Sequence, residues 1–557
     1  MADAQRHTEA WQDKPWKQFQ RVVFRLQKRI YRARLRRDTR TVHKLQRLLL
    51  RSSAARHLAV RKVTQENKGK RTAGIDGIAS LSPKQRNTLA EDLRDLDRKP
   101  QPVRRIYIPK RNGEQRGLGI PIMRERATHA LVKLALEPEW EARFEPNVYG
   151  FRPGRSAHDA IRAVFSSIHS MPKYALDADI EKCFDRIEHG ELIRKLDTFP
   201  RLRRLVKGWL KAGTLDGEEL FPSKRGVPQG SPLSPLLLNV ALHGLESEIR
   251  ASLPRLHKGQ SWQPSVIRFA DDMVILHRDL KTLKELREQA ETWLAQVGLR
   301  LNPSKTRITH TLASYQGTVG FDFLGFEVRQ YRMGRHRSGK DGQGNRLGFK
   351  TLIKPSKAAQ KRHLEHTGDL IKRYRGQGQD ALIEHLKAVI TGWSRYHGHV
   401  VSSDVFVEMD YRLYHQLYRW AKRRHSDKSH RWRKRRYWQK IDGRSEFGKH
   451  QVLPKHVDTA IKRHVKISGR RSPYDGDWVY WGIRLRRYAG MSPFKAKLLQ
   501  RQQGHCAGCG LYFMAGDQLE VHHRDGHRAN NRMPNLALIH LHCHDVVHGA
   551  HDKGDLY

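Results

Sequence analysis

Asp177, Asp179, Asp271 and Asp272 sit in two short segments whose patterning would bring carboxylates together. In Tyr174 to Ile180 (YALDADI), the apolar Tyr174, Leu176 and Ile180 alternate with the two aspartates, so a strand of period two puts Asp177 and Asp179 on one face. In Val266 to Leu276 (VIRFADDMVIL), two apolar runs flank Ala270-Asp271-Asp272 and predict a hairpin with an acidic tip. Like charges a few ångströms apart repel, and a carboxylate beside a core loses hydration. A divalent cation removes both penalties. Carboxylates meeting at strand ends hold Mg2+ for phosphoryl transfer, one ion activating an attacking 3′-hydroxyl and another steadying the pyrophosphate leaving group. A lone Asp-Asp would read as a turn using Asp for local hydrogen bonds; the second acidic segment argues against that.

Another constellation lies beyond residue 500: Cys506 and Cys509, His522 and His523, Asn535, His540, His542, Cys543, His544 and His548. Cys506/Cys509 and His540/Cys543 have the spacing of the two knuckles of a tetrahedral structural Zn2+ site, with His542 as the alternative fourth ligand. A module of about fifty residues has too small a core to fold reliably alone, so a metal staple is expected. Three of the four cysteines fall here and the other is Cys183, which suits a reducing compartment better than a disulfide framework.

The elements that must position these groups are legible in outline. Phe19, Val23, Leu26, Ile30 and Ala33 form one apolar stripe of a helix otherwise crowded with arginine and lysine. From about 100 to 330, short β-branched runs alternate with helices and predict an α+β domain. The Gly-rich, basic stretch from Arg332 to Gly348 reads as a loop or insertion, and residues 355–440 return to helix. Residues 441–500 are basic and weakly patterned.

The balance of 107 Lys+Arg against 57 Asp+Glu gives the 557-residue chain a formal net charge of +50, which calls for a polyanionic partner, nucleic acid above all. No apolar run approaches the eighteen or so residues of a spanning helix and no signal-peptide core follows Met1, so the expected address is cytoplasmic, on nucleic acid and off the membrane.

Seven ordered blocks resemble the reverse transcriptase family. They are Ile106 to Pro121 (IYIPKRNGEQRGLGIP), Tyr149 to Arg155 (YGFRPGR), Asp179 to Asp185 (DIEKCFD), Gly226 to Pro235 (GVPQGSPLSP), Phe269-Ala270-Asp271-Asp272, Leu301 to Thr306 (LNPSKT) and Phe323 to Phe326 (FLGF). The resemblance implies that Asp179, Asp271 and Asp272 hold two Mg2+ ions, with Ile180 offering a backbone carbonyl. Phe184 would lie beneath the incoming sugar and select dNTPs, Lys110 and Arg116 would clasp the triphosphate, Gln229 would line the nucleotide pocket and Lys305 would stand on the pyrophosphate side. Asp177 and Asp185 would share the neighbourhood without holding metal. Phe269 stands where many relatives carry Tyr, which keeps the ring platform.

The flanks narrow the subfamily. The segment through Thr72 to Gly77 (TAGIDG) and Ile390 to His397 (ITGWSRYH) resemble group II intron-encoded proteins, whose thumb serves RNA maturation. From Tyr411 to Lys440, twelve Lys/Arg and seven Tyr/Trp accompany one acid, a mixture that suits phosphate contact and stacking on unpaired bases of structured RNA, with about half the rings expected in the core. The histidines of the tail are similar to an HNH endonuclease: His523 would be the general base, His522, His544 and His548 would face one divalent ion, and Asn535 would orient the base loop.

The expected architecture is therefore multidomain α+β. It comprises a basic N-terminal extension (1–75), right-hand polymerase fingers and palm with an antiparallel palm sheet (76–335), a helical thumb/maturase domain (336–440), a basic DNA-binding region (441–500) and a small zinc-stapled ββα HNH module (501–557). The implied partners are group II intron RNA, target DNA and dNTPs. Two other readings stay open: a splicing cofactor with silent active sites, and another prokaryotic reverse transcriptase of retron or defence type.

Overall fold

The structure is a computed structural model, and it describes residues 11–109, 113–477, 480–481, 484, 491, 493–514, 517–527 and 530–549. Its centre is a four-stranded antiparallel sheet in the order Arg307–His310, Tyr174–Asp179, Asp272–His277, Ser265–Phe269. Because side chains alternate along a strand, the sheet feeds two cores. Leu176, Ala178, Met273 and Ile275 face one apolar cluster, and Ala175, Val274 and Leu276 face the other.

The first cluster is helical and continuous with the N-terminal segment. Helices Trp16–Leu35, Thr39–Arg51 and Ser53–Arg61 pack on the long helix Met123–Arg143. The stripe predicted on the first of them is the face that turns inward: Val23, Leu26, Ile30 and Ala33 are buried, with Phe19 packed against them. Arg21, Arg25, Arg29, Arg32, Arg36 and Arg37 remain exposed on its other sides. Local signals set the ends of these helices, as where Asp38 accepts a hydrogen bond from Thr41 N at 3.0 Å. Since these helices share one core with the central sheet, residues 11–75 are not a separate unit.

The second cluster is closed by a meander, Phe321–Phe323, Phe326–Arg332 and Phe349–Pro355, which contributes Phe321, Phe323, Phe326, Val328 and Ile353. A further sheet, ordered Gln115–Ile120, Val103–Pro109, Thr214–Asp216, Glu219–Phe221, stands beyond the central one.

Helices Lys357–Arg373, Gln379–His397 and Ser403–Arg424 then form a lobe around Leu386, Ile390, Leu413, Leu417 and Trp420, with the hairpin Trp438–Ile441/Arg444–Phe447 against it. Of the seven rings between Tyr411 and Lys440, Trp420, Tyr437 and Trp438 are buried, Tyr414, Tyr418 and Trp432 half-buried and Tyr411 exposed.

Two expected boundaries move. The break at 335/336 falls inside the hairpin that pairs Arg332 with Phe349, so the basic stretch 332–348 connects two strands of one sheet and the helical lobe begins at Lys357. The break at 440/441 falls inside the strand Trp438–Ile441. The chain after this hairpin returns to the central domain. Ile467 and Trp481 join the second cluster, and buried Asp159 accepts hydrogen bonds from Ile467 N at 2.7 Å, His464 Nε2 at 3.0 Å and Arg484 at 2.7 Å. On the lobe itself Val401 N donates to Ile353 O and Lys462 N to Gly398 O, both at 2.9 Å. No helix among the described residues is long and apolar enough to cross a membrane.

Candidate active site and metal centre

Asp179 ends its strand directly opposite Asp272, which begins the neighbouring one. Directly paired residues of an antiparallel ladder point to the same side with Cβ atoms about 5 Å apart, so the two carboxylates share one face. Asp177, two residues earlier, shares it too. The intervening hairpin is as tight as two strands allow: Phe269 pairs with Asp272, leaving Ala270 and Asp271 as the turn. Ala270 takes φ 58°, the left-handed conformation that a turn of this kind normally assigns to glycine. For alanine it costs roughly 1–2 kcal/mol, so neighbours must hold it.

They do so from one side. Buried Arg268 donates from one guanidinium nitrogen to Ala270 O and to Asn239 Oδ1, both at 3.0 Å. Asn239 Nδ2 donates to Gly150 O at 2.9 Å, and Tyr149 N donates to Arg268 O at 2.9 Å. Gly150 lies so close that a Cβ added there would stand 2.9 Å from the carbonyl carbon of Phe269 and nearer still to Ala270 N. The sequence pattern placed Gly150 in a recognisable block but gave it no role, and it did not single out Arg268 or Asn239. A close approach of backbone to backbone leaves no periodicity to read.

The electrostatics follow from this crowding. Burial, then the charges of Asp271, Asp179 and Asp177, push the Asp272 carboxyl up to about 7. Burial and then Asp179 raise Asp271, while Arg116 and Lys305 draw it down. Burial takes Asp177 up to about 6 against the pull of Arg307, whose Nε lies 3.3 Å from Asp177 Oδ2. Asp179 is the paired member: Lys305 Nζ stands 3.2 Å and Asn302 Nδ2 3.4 Å from its Oδ2, and Asn302 N donates to its carbonyl at 2.8 Å. Lys305 and Arg307 thus answer Asp179 and Asp177 with the same two-residue period. Arg307 and Asn302 were not anticipated, although the alternation of Lys305 and Arg307 carries the signal.

Of the other expected residues, Ile180 N donates to Asp271 O at 3.4 Å, so the acidic turn and the strand end are directly joined. Half-buried Phe184 is anchored where Val227 N donates to its carbonyl at 2.6 Å, with the Phe151 ring 6.3 Å away. Gln229 O accepts from Gly119 N at 2.7 Å, tying the Gly226–Pro235 loop to the strand that carries exposed Arg116. The carbonyl of Asp185 packs where a Cβ on Gly226 would fall. Lys110 lies outside the described residues.

The raised carboxyls have a measurable consequence. A group whose folded-state pKa is raised is protonated there at pH values where the unfolded chain has released the proton. The metal-free protein therefore loses stability as pH rises from the ordinary aspartate range through about 7, and a cation that takes the site must displace the Asp272 proton below that value. The Mg2+ concentration that half-saturates the site is expected to climb, approaching tenfold per pH unit, as pH drops below about 7. Mg2+ should also raise the melting temperature more at pH 8 than at pH 5.5. A flat Mg2+ requirement across this range would contradict the burial argument.

In the C-terminal module, strands Leu519–His523 and Leu536–His540 form an antiparallel hairpin followed by helix Leu541–Gly549. The ligand atoms of Cys506, Cys509, His540 and Cys543 all lie within 4.8 Å of one another. Three thiols and an imidazole at that spacing fit a tetrahedral Zn2+. His540 Nδ1 lies 3.4 Å from Cys509 Sγ, and its Nε2 reaches Asp517 Oδ2 at 3.3 Å, the carboxylate orientation usual for metal-bound histidine. His542 points elsewhere, accepting from Arg61 at 2.9 Å.

Beside this cluster, His523 pairs with Leu536 across the hairpin and its Nε2 meets Asn531 Oδ1 at 3.2 Å, a partner that sequence reasoning missed. Asn535 spans the intervening loop, donating to Asp525 Oδ1 at 2.9 Å and Asn530 O at 2.8 Å. The rings of His522 and His544 lie 5.9 Å apart. The side chain of His548 lies outside the described residues.

Comparison with known proteins places this geometry. Residues 108–328 match the reverse transcriptase (RNA-dependent DNA polymerase) family, residues 11–93 the N-terminal domain of reverse transcriptase and residues 360–438 the group II intron maturase-specific domain. Protein YkfC of Escherichia coli K12 is 32% identical over 327 residues, covering 52% of this chain and 84% of that one. The chain belongs to the group II intron reverse transcriptase/maturase family. Within it, the group II intron-encoded protein LtrA of Lactococcus lactis is 29% identical over 339 residues, 49% of this chain and 55% of LtrA. Maturase-like protein 1 of Euglena gracilis is 29% identical over 320 residues, 56% of this chain and 64% of its own. The match thus spans little more than half of LtrA. The three matched family spans end at residue 438, so the chemistry of the C-terminal module rests on its own residues.

Proposed function

We propose that the chain copies RNA into DNA, binds its own intron RNA as a maturase, and nicks target DNA with its C-terminal module to provide the primer. The observation that carries the polymerase reading is the pairing of Asp179 with Asp272 across the central sheet, with Asp271 in the adjoining turn. Asp179, Asp271 and Asp272 would hold two Mg2+ ions, which supply Lewis acidity to the primer hydroxyl and the departing pyrophosphate. The chain's own contribution is positioning and charge. Ile180 offers its carbonyl beside the cluster. Arg116 clasps the triphosphate together with Lys110, the Phe184 ring leaves no room for a ribose 2′-hydroxyl, and Gln229 lines the nucleotide pocket. Lys305, paired here with Asp179, would stand on the pyrophosphate side.

RNA recognition is assigned to the helical lobe with its arginines, lysines and accessible rings, and to the exposed arginines of the first helix. DNA contact is assigned to the basic region beyond 441. Binding through many phosphates should weaken steeply with added salt. In the C-terminal module His523 acts as general base toward water, held by Asn531 and by the loop that Asn535 spans, and His522, His544 and His548 would hold a divalent ion that supplies Lewis acidity at the scissile phosphate.

The deciding experiment supplies the protein with its flanking intron RNA and target DNA and follows splicing, strand nicking and cDNA together. Splicing assistance without cDNA would return the chain to a cofactor with silent sites. For the nuclease, His523→Ala is expected to leave cDNA synthesis on a supplied primer unchanged while lowering nicking by about 10²–10⁴-fold, the usual worth of a general base. Nicking that survived at full rate would remove His523 from that role.

A further inference from the structure

The cluster of Cys506, Cys509, His540 and Cys543 does not stand free of the polymerase. Cys509 and Leu511 pack into the same apolar core as the N-terminal helices. Gln20 of the first helix makes a reciprocal pair with the backbone of Tyr512, donating to its carbonyl at 3.1 Å and accepting from its N–H at 2.8 Å. Beside these contacts lies a chain of charges. Arg61, with only 5% of its side chain exposed, stacks over the Trp16 ring at 4.8 Å, bonds Glu66 at 3.2 Å, donates to His542 at 2.9 Å and faces the sulfurs of Cys509 and Cys543. Lys62 holds the same Glu66 at 3.0 Å and lies 3.9 Å from Asp517, the carboxylate that receives His540.

Three thiolates and a neutral imidazole around a divalent cation leave one net negative charge. Placed in a half-dry contact between two domains, that charge is costly unless a cation stands beside it. Arg61 arrives from the helix Ser53–Arg61, more than four hundred residues away in the chain.

We propose that Arg61 is a positioning residue of the Cys506/Cys509/His540/Cys543 zinc site, so that metal retention and docking of the C-terminal module on the N-terminal helices are one coupled equilibrium. The inference rests on the zinc reading of that cluster. Arg61 offsets the charge of the thiolate set, while Lys62, through Asp517, fixes the orientation of His540. Loss of metal would leave Arg61 and Glu66 with less to hold the module in place, and loss of Arg61 would leave Glu66 facing the metal-bound thiolates.

The test uses the full chain. Zinc content is measured first, then the rate at which a chromophoric chelator strips zinc from the wild type, Arg61→Gln and Arg61→Lys. The expected result is one zinc per wild-type chain and release at least about tenfold faster from Arg61→Gln, the scale of a lost outer partner, with Arg61→Lys restoring most of the retention because charge is the operative property. Release from Arg61→Gln at the wild-type rate would overturn the proposal while leaving the zinc site intact. A wild type without zinc would sink the zinc reading itself, and this inference with it. Should Arg61→Gln fail to fold, hydrogen exchange of the wild type with and without chelator decides the matter. Metal removal should deprotect the amides of 53–66, and unchanged protection there would refute the coupling.

Discussion

Asp271→Ala should abolish RNA-templated primer extension, by three orders of magnitude or more, while leaving RNA binding and the folded state intact. A carboxylate that helps hold a catalytic cation contributes several kcal/mol to the transition state, and each 1.36 kcal/mol is a factor of ten in rate. The structure adds a second, opposite sign. Asp271 raises the cost of ionising Asp272, its neighbour at the tip. Removing it therefore relieves repulsion, and the variant without Mg2+ should melt no lower than the wild type at pH 8. The stabilisation that Mg2+ confers should shrink at the same time. A variant that still extends primers would detach the acidic turn from the chemistry, and one that simply unfolds would show that the turn is structural.

Gly150→Ala should cost about a hundredfold or more in primer extension although no side chain is removed from the site. The added methyl would collide with the backbone of Phe269 and Ala270, atoms that cannot rotate away. The turn already holds Ala270 in a left-handed conformation, so it has little slack to absorb the intrusion. A displacement near 1 Å at reacting groups is enough for a hundredfold loss. The readout that separates this from general damage is the Mg2+ dependence: half-saturation should rise while RNA affinity stays constant. Wild-type extension at ordinary Mg2+ would mean that the YGF block does not control the carboxylates.

These two cases mark what the amino-acid sequence makes legible. The alternation around Asp177 and Asp179 and the paired apolar runs around Asp271 and Asp272 were enough to anticipate a sheet and an acidic hairpin, because burial imposes a period that hydrophobic residues record. The four Cys/His positions that converge were equally readable, since ligand spacing is nearly local; only the choice between His540 and His542 needed three dimensions. Gly150, Arg268 and Asn239 were opaque for the opposite reason. Their importance lies in contacts between segments far apart in sequence, and a glycine that admits a neighbouring backbone looks like any other glycine. Arg307 was signalled by its alternation with Lys305, but its partner Asp177 became plain only in the register. The boundaries at 335/336 and 440/441 were misplaced because glycine- and arginine-rich stretches read as breaks, whereas the first lies in the connection between two paired strands and the second inside the strand Trp438–Ile441.

The path of the chain around the helical lobe has a mechanical consequence. The lobe is reached from the strand ending at Pro355 and left by a segment that comes back to Asp159, so both of its ends are moored to the same body. A domain hung from a single linker can tumble away from a bound polymer. One moored twice can only swing about the line joining its moorings. Grip on a long template is then a property of the backbone path as much as of charge, and cutting the return segment near residue 460 should loosen it while leaving the arginines, lysines and rings of the lobe in place.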